Sequence, residues 1–372
     1  MQAIKNFIKS EIVLCVAFVL AVISCFFVHP DRGYFAYIDY RTLSILLMLM
    51  ITMAGFQRLK VFRQIGEVLV SSMSTVRGIA LVLTALCFFS AMFITNDVAL
   101  LTFVPFSIVT LSLSNRKDLY IIVIVLETIA ANLGSMLTPL GNPQNLYLYS
   151  LSDMSLGSFL RLMLPYSVVA LVLLTVSIFF FVKNATATLA EKNTYLRGRK
   201  DKCKIALYIA LFVLSIAVVA RALPYYIGLA IVLVIVAIID RQVLRKPDYS
   251  LLATFICLFV FIGNMKRIPA LSNFLESLVR DHEVIVSILL SQVISNVPAA
   301  ILCSGFTKNI QALIVGTNLG GLGTLIASMA SLISFKQYSY VDGADTKKYI
   351  GIFTIANIAF LALMLLLYFL LG

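Results

Sequence analysis

Tryptophan is absent from this 372-residue chain, histidine occurs twice, and only 12% of the residues are charged. Soluble domains carry about 25% charged residues, so this chain cannot cover itself with a surface made for water. The six cysteines form no CxxC pair and fall mostly inside apolar stretches, so neither a disulfide framework nor a zinc site is supported. His29 and His282 both lie in predicted loops, and no His-Cys-acid cluster offers a metal-dependent reaction centre. HExxH and GxSxG are also missing, which removes two signatures of an intramembrane hydrolase. No cofactor and no enzymatic activity are therefore expected. What is abundant is hydrocarbon: 61% of residues are hydrophobic and the mean hydropathy is +1.01. A spanning helix needs about 20 apolar residues, so the chain has room for roughly ten crossings and no large extramembrane domain.

The net charge of +12 invites a nucleic-acid reading, but cytoplasmic loops of membrane proteins collect Lys and Arg. Topology is the better account, and no nucleic-acid partner is expected. Apolar runs fall at 12–28, 42–56, 78–112, 119–149, 159–182, 205–220, 225–239, 249–264, 284–306, 310–333 and 349–371. The first lacks a small-residue cleavage site and reads as a retained helix. Three runs are abnormal. The run 78–112 is too long for one span and carries Thr95-Asn96-Asp97 at its centre. The run 284–306 has Ser295-Asn296-Val297-Pro298 in its middle. The run 119–149 contains two prolines and two glycines between Asn132 and Asn145, too many for an uninterrupted helix. Irregular backbone at membrane depth must be buried in protein or line a polar cavity, so all three places point inward.

With a cytoplasmic N-terminus and both odd runs re-entrant, 21 of the 29 Lys and Arg lie inside and 8 outside. A single crossing by 284–306 would give 19 and 10, so the re-entrant reading is preferred. The charges do not test 78–112, because a hairpin and a double crossing both return to the cytoplasm.

The chain also repeats itself. Asn132-Leu133-Gly134-Ser135-Met136-Leu137-Thr138 aligns with Asn318-Leu319-Gly320-Gly321-Leu322-Gly323-Thr324 at an offset of 186, and Thr95-Asn96-Asp97-Val98-Ala99 answers Ser295-Asn296-Val297-Pro298-Ala299 at an offset of 200. Each tip follows an amphipathic stretch, Leu59 to Val76 or Ile268 to Val279, and precedes a broken span. The expectation is an all-α polytopic membrane protein. It would be an inverted-repeat transporter of about nine spans, with two re-entrant hairpins and two broken helices. The first repeat is 1–182 (hairpin 78–112, broken helix 119–149). A polar cytoplasmic linker is 183–204, and the second repeat is 205–372 (hairpin 284–306, broken helix 310–333). The first half is one crossing short, unless Leu59 to Val76 hides a span.

Discontinuous helices between inverted repeats are how secondary transporters build a site at the midplane. Half-helix N-termini suit anions and half-helix C-termini suit Na⁺. Two acids lie deep in apolar runs, Asp97 and Glu127. A carboxylate at that depth costs several kcal/mol unless protonated, paired or hydrated, so both are coupling candidates. The plainer roles are a cap for the second hairpin arm and an acid satisfied within the bundle. No Lys or Arg is predicted deep in a span. Gly320, Gly321 and Gly323 mark a helix break or a close helix contact. Tyr147 and Tyr149 read as interfacial anchors, and Met48, Met50 and Met53 as lipid-facing or packing surface.

In these four ordered motifs, spread over nearly the whole chain, the sequence resembles the citrate-transporter-like permeases of the ion transporter superfamily. That group includes divalent-anion/sodium symporters, arsenite efflux permeases and a branch of sodium/proton antiporters. The resemblance implies a secondary transporter moving a small anion or oxyanion, carboxylate-like, driven by Na⁺ or H⁺. It implies one half-site from Thr95, Asn96, Asp97, Asn132, Gly134, Ser135, Thr138, Gly141 and Asn142. The other comes from Ser295, Asn296, Pro298, Thr317, Asn318, Gly321 and Thr324, with Na⁺ expected near Asn96 and Asn296. Asp97 stands where the symporters place Thr, and Val297 replaces a second Thr. An Asn-Asp tip is similar to the arsenite and antiporter branches, so arsenite or antimonite efflux and Na⁺/H⁺ antiport stand as alternatives. An ion channel is the more distant rival. The expected setting is a bacterial or archaeal inner membrane. The expected partners are lipid, a small anionic or oxyacid substrate and, as an oligomeric option, a second copy of the chain.

Overall fold

In lipid every backbone N–H and C=O must be paired within its own segment or against protein, which favours helices for long apolar runs. The computed structural model describes residues 11–186 and 199–371. These are helices joined by turns and loops, with one isolated bridge between Thr75 and Thr186. Side-chain caps set many of the starts: Asp39, Thr75, Ser155, Asp248 and Asn309 each accept the N–H three residues on.

In chain order the first part holds α1 (Ile12–Phe27), α2 (Tyr34–Tyr37), α3 (Tyr40–Arg58), α4 (Val61–Ser71), α5 (Val76–Ile94), α6 (Asn96–Leu113), α7 (Tyr120–Ser135), α8 (Pro143–Leu151) and α9 (Leu156–Phe181). The second part holds α10 (Arg199–Val219), α11 (Tyr225–Ile239), α12 (Tyr249–Lys266), α13 (Pro269–Val279), α14 (Glu283–Ile294), α15 (Asn296–Ser304), α16 (Ile310–Leu319), α17 (Met329–Ser339) and α18 (Thr346–Leu371). Most of the expected linker, residues 187–198, lies outside the described residues, and its end belongs to α10.

Among the described residues eight helices are long and apolar enough to cross a membrane: α3, α5, α6, Lys117–Ser135, α9, Lys200–Val219, α12 and α18. The protein is thus an all-α polytopic membrane protein with about eight apolar spans. The count differs from nine because both arms of the run 78–112 reach spanning length, at 19 and 18 residues. Three expected crossings fall short: 12–28 and 225–239 form helices of only 16 and 15 residues, and 310–333 is divided between α16 and α17, of 10 and 11 residues. Leu59 to Val76 hides no span: α4 has 11 residues, about 16 Å. Its counterpart α13 also has 11. Both lay apolar side chains outward, Val68 and Leu69 on α4 and Phe274 and Leu278 on α13.

The arms α14 and α15, of 12 and 9 residues, fold back on one another. The Thr307 hydroxyl just after α15 donates to the Glu283 carboxylate at the start of α14, 2.7 Å away. In the longer pair α5–α6, a Cβ on Gly66 of α4 would touch Leu86 on one arm and Phe103 and Phe106 on the other. The two parts then exchange elements: α8 packs on α15 and α16, whereas α17 packs on α6 and α7.

One expectation needs correction. Tyr147 and Tyr149 are buried, because the whole of α8 from Pro143 to Tyr149 is wrapped by neighbours. The Tyr147 hydroxyl meets Ser304 Oγ at 2.9 Å, and the Tyr149 ring packs on Phe159. Of the two roles expected for the methionines, Met48 and Met53 take the packing one, both being buried. Met48 fills the space that a side chain at Gly228 would need.

Candidate functional site

Thr95 and Ser295 share one backbone conformation, φ 68°, ψ 148° and φ 71°, ψ 155°. This region is nearly reserved for glycine and costs about 1–3 kcal/mol for other residues. In both places the chain reverses and starts a new helix at an asparagine, Asn96 or Asn296. Each of these asparagines then uses its backbone N–H in the same way. Asn96 donates to the Gly141 carbonyl at 3.1 Å, and Asn296 to the Ala327 carbonyl at 3.0 Å. Gly141 and Ala327 are 186 positions apart, so the sequence offset is also an offset of hydrogen bonds.

The same offset governs the side chains. The Asn132 carboxamide oxygen accepts from Asn96 Nδ2 (3.1 Å) and Ser328 Oγ (3.0 Å), and its Nδ2 donates to Ser331 Oγ and the Gly321 carbonyl, both at 3.4 Å. Asn318 mirrors it. Its oxygen accepts from Asn142 Nδ2 (3.0 Å) and its Nδ2 donates to Asn145 Oδ1 (2.5 Å). Adding 186 to Asn142 and Asn145 gives Ser328 and Ser331. The two sets of contacts are thus reciprocal across the offset of 186.

Ser135 Oγ accepts from Asn142 Nδ2 at 3.1 Å, fixing the two sides of the first helix interruption. Gly134 and Gly141 have no room for a side chain: a Cβ would overlap the Phe88 carbonyl or the Ser135 backbone. A Cβ on Gly320 would likewise crowd Ser291, and Gly323 sits at φ +110°. Four helices, α6, α8, α15 and α17, begin at this cluster, and α5, α7, α14 and α16 end at it. It therefore gathers both ends of the peptide dipole. Residues named in the network carry amides, hydroxyls and carbonyls, and no Lys or Arg among the described residues bonds to them.

Residues 3–311 match the family described as citrate transporter. This chain belongs to the citrate transporter family. It is similar to an uncharacterized transporter of Methanocaldococcus jannaschii, with 36% identity over 70% of this chain and 71% of that one. It is also similar to the inner membrane protein YbiR of Escherichia coli, with 29% identity over 84% of each chain. The family is one of membrane transporters, not enzymes.

Other expected site residues of this family member stand nearer to or further from the network. Asp97 is in the first turn of α6, its N–H held by Asn96 Oδ1 at 3.0 Å. Its Oδ1 is buried without a hydrogen-bond partner. Ser295 Oγ has only long contacts, 3.4 Å to Asn296 Oδ1 and 3.5 Å to the Ala327 carbonyl. Thr138 turns away to donate to the Met92 carbonyl. Pro298 is a buried first-turn residue of α15, where a proline costs little. Thr317 donates to Leu313 within its own helix, and Thr324 is exposed and bonds to Gln292. Glu127 is fully buried away from the tips, one oxygen taken by Ser107 Oγ and the other without a partner. Among the described residues no group of three His, Cys, Asp or Glu converges as a metal site.

Four contributors were missed from the sequence: Asn145, which ends the interrupted stretch and bonds Asn318, Ser328, Ser331 and Gln292. Ser328 and Ser331 were within reach, since the offset of 186 applied to Asn142 and Asn145 lands on them. Gln292 gave only the faint signal of one long amide in an apolar arm. It spans the uncoiled segment, donating to Gly320 and Leu322 carbonyls (3.1 and 2.9 Å) and accepting from Thr324 N–H (2.8 Å).

Proposed function

We propose that this transporter carries a small anion or oxyanion, carboxylate-like, by secondary active transport coupled to Na⁺ or H⁺. The single observation that supports it most is the reciprocal pairing of Asn132 with Ser328 and Ser331, and of Asn318 with Asn142 and Asn145. In this reading the two parts are inverted repeats with re-entrant hairpins, and the site lies where their broken helices cross. The tips stop at the level of the interruptions, because Asn96 and Asn296 bond to Gly141 and Ala327 between the half-helices. The helix N-termini of α6, α8, α15 and α17 hold the anion, with Asn96, Asn132, Asn142 and Asn318 orienting it.

The coupling ion belongs at the tips. Ser295 Oγ, Asn296 Oδ1 and the Ala327 carbonyl form an oxygen-rich corner whose hydroxyl is poorly satisfied. That is donor chemistry for Na⁺. At the other tip the unpartnered Asp97 oxygen is a proton or cation acceptor, and it favours Na⁺/H⁺ antiport or arsenite efflux as the second reading. The setting in this reading is an inner membrane, as the name of YbiR has it for that protein, and the excess of Lys and Arg in alternate loops supports a cytoplasmic N-terminus.

The test is flux in proteoliposomes under imposed Na⁺ or H⁺ gradients, against dicarboxylates, citrate, oxyanions and arsenite. Gradient-driven flux of at least one is expected. Asn96→Ala should reduce it by roughly 5- to 150-fold, the rate equivalent of the 1–3 kcal/mol cost of an unpartnered buried polar group. No driven flux of any solute, with wild type equal to the variant, would refute the reading.

A further inference from the structure

Two pockets flank the hairpins in matching positions, and neither touches the asparagine network. One, of about 450 Å³, is lined by Lys60, Arg63, Leu101, Thr102 and Pro105. The other, of about 320 Å³, is lined by Ala36, Tyr37, Lys266, Arg267, Ile301 and Gly305. Leu101 and Pro105 correspond to Ile301 and Gly305 at the offset of 200 that relates the tips. Each pocket therefore lies along the second arm of its hairpin. Leu101 and Ile301 are five residues beyond Asn96 and Asn296, about 7.5 Å along a helix. The basic residues correspond as well: both pairs sit where a long helix, α3 or α12, gives way to an 11-residue amphipathic one.

The charges in each pocket are arranged alike. Arg63 is paired with Glu67 at 2.9 Å. Arg267 is paired with Asp31 at 2.8 Å and with the Tyr37 hydroxyl at 3.1 Å. The hydrogen bond from Arg267 holds the Asp31 carboxyl below its ordinary range, so this compensation persists at neutral pH. The ammonium groups of Lys60 and Lys266 have no hydrogen-bond or ion-pair partner among the described residues. One uncompensated positive charge thus remains in each pocket. The preference for cytoplasmic Lys and Arg accounts for Lys60 but not for Lys266 and Arg267, which fall on the opposite side in the proposed topology.

We infer that these are paired docking pockets for the transported anion, one for each face of the membrane, with Lys60 and Lys266 as the groups that first attract it. This rests on the proposed anion transport. A strongly hydrated ammonium on a flexible stem suits loose capture ahead of a site that itself contains no cationic side chain. A low-dielectric mouth lined by one sign of charge concentrates the opposite ion.

The experiment uses full-length protein in proteoliposomes, with native cysteines replaced and single cysteines at Ala36→Cys or Thr102→Cys. The readout is the rate of labelling by an anionic methanethiosulfonate relative to a cationic one, with and without citrate, succinate or sulfate. Lys266→Gln should lower the anionic preference about fivefold at position 36 and leave position 102 unchanged, and Lys60→Gln should do the reverse. At least one of the three anions should slow labelling, and that protection should vanish with the same lysine. Lys266→Arg and Lys60→Arg, which keep the charge, should behave as wild type. A labelling ratio indifferent to the local lysine, or no protection by any of the three anions, overturns the inference. If these results hold while no solute is driven by any gradient, the transport reading fails and the anion pockets stand.

Discussion

At the residue scale, Thr95 and Ser295, held at φ near 70° with ψ near 150°, are the clearest sign of a constrained function, since backbone of this kind persists only where its surroundings over-determine it. The asparagines beside them are positioned by their own N–H groups, which leaves the Asn96 side chain to the network and the Asn296 oxygen to Ser295. Asp97 stands out because its first oxygen is buried with no partner, whereas Glu127 at least holds Ser107. Asp97→Asn keeps the size and the helix start but removes the ionisable group. We predict that this variant still moves substrate down its own gradient while losing acceleration by the coupling ion. Flux measured across a series of pH and Na⁺ values decides it: a full, unchanged ion dependence would leave Asp97 as a helix-capping group only.

At the element scale, the hairpins carry the topology. Arms of 12 and 9 residues are about 18 and 14 Å long, too short for a bilayer core of about 30 Å, and their ends meet at Thr307 and Glu283. Cysteines at His282 and Lys308, both exposed, should therefore be labelled by an impermeant reagent from the same face. Labelling from opposite faces would mean that 284–306 crosses once. Much of this was legible in the sequence. Helix interruptions announced themselves through Pro139, Pro143 and Gly141, and the tips through Thr95-Asn96-Asp97 and Ser295-Asn296 set in apolar runs. The arm lengths were not legible, because 78–112 is apolar on both sides of Thr95 and nothing local tells a long hairpin from two spans. Tyr147 and Tyr149 misled for a related reason. An aromatic beside a helix break looks interfacial until α15 and α16 are known to pack over it.

At the scale of the whole molecule, the exchange of half-helices between the two parts matters most. Because α8 rests on α15 and α16 while α17 rests on α6 and α7, neither part can complete the network alone. The offset of 186 carried this information and was legible as far as Thr138 and Thr324. Beyond those residues the repeat is chemical rather than literal, Asn142 and Asn145 being answered by serines. A cluster that joins both parts through amides and hydroxyls, at the meeting of eight helix ends, is suited to binding an anion and a cation together. The most direct test is accumulation against an opposing substrate gradient in proteoliposomes energised only by Na⁺ or H⁺, comparing wild type with Asn132→Ala and Asn318→Ala. Uphill accumulation in wild type, lost to a similar extent in both variants, is predicted. Flux that only ever runs downhill, or that depends on one asparagine and not the other, would contradict a shared site for coupled transport.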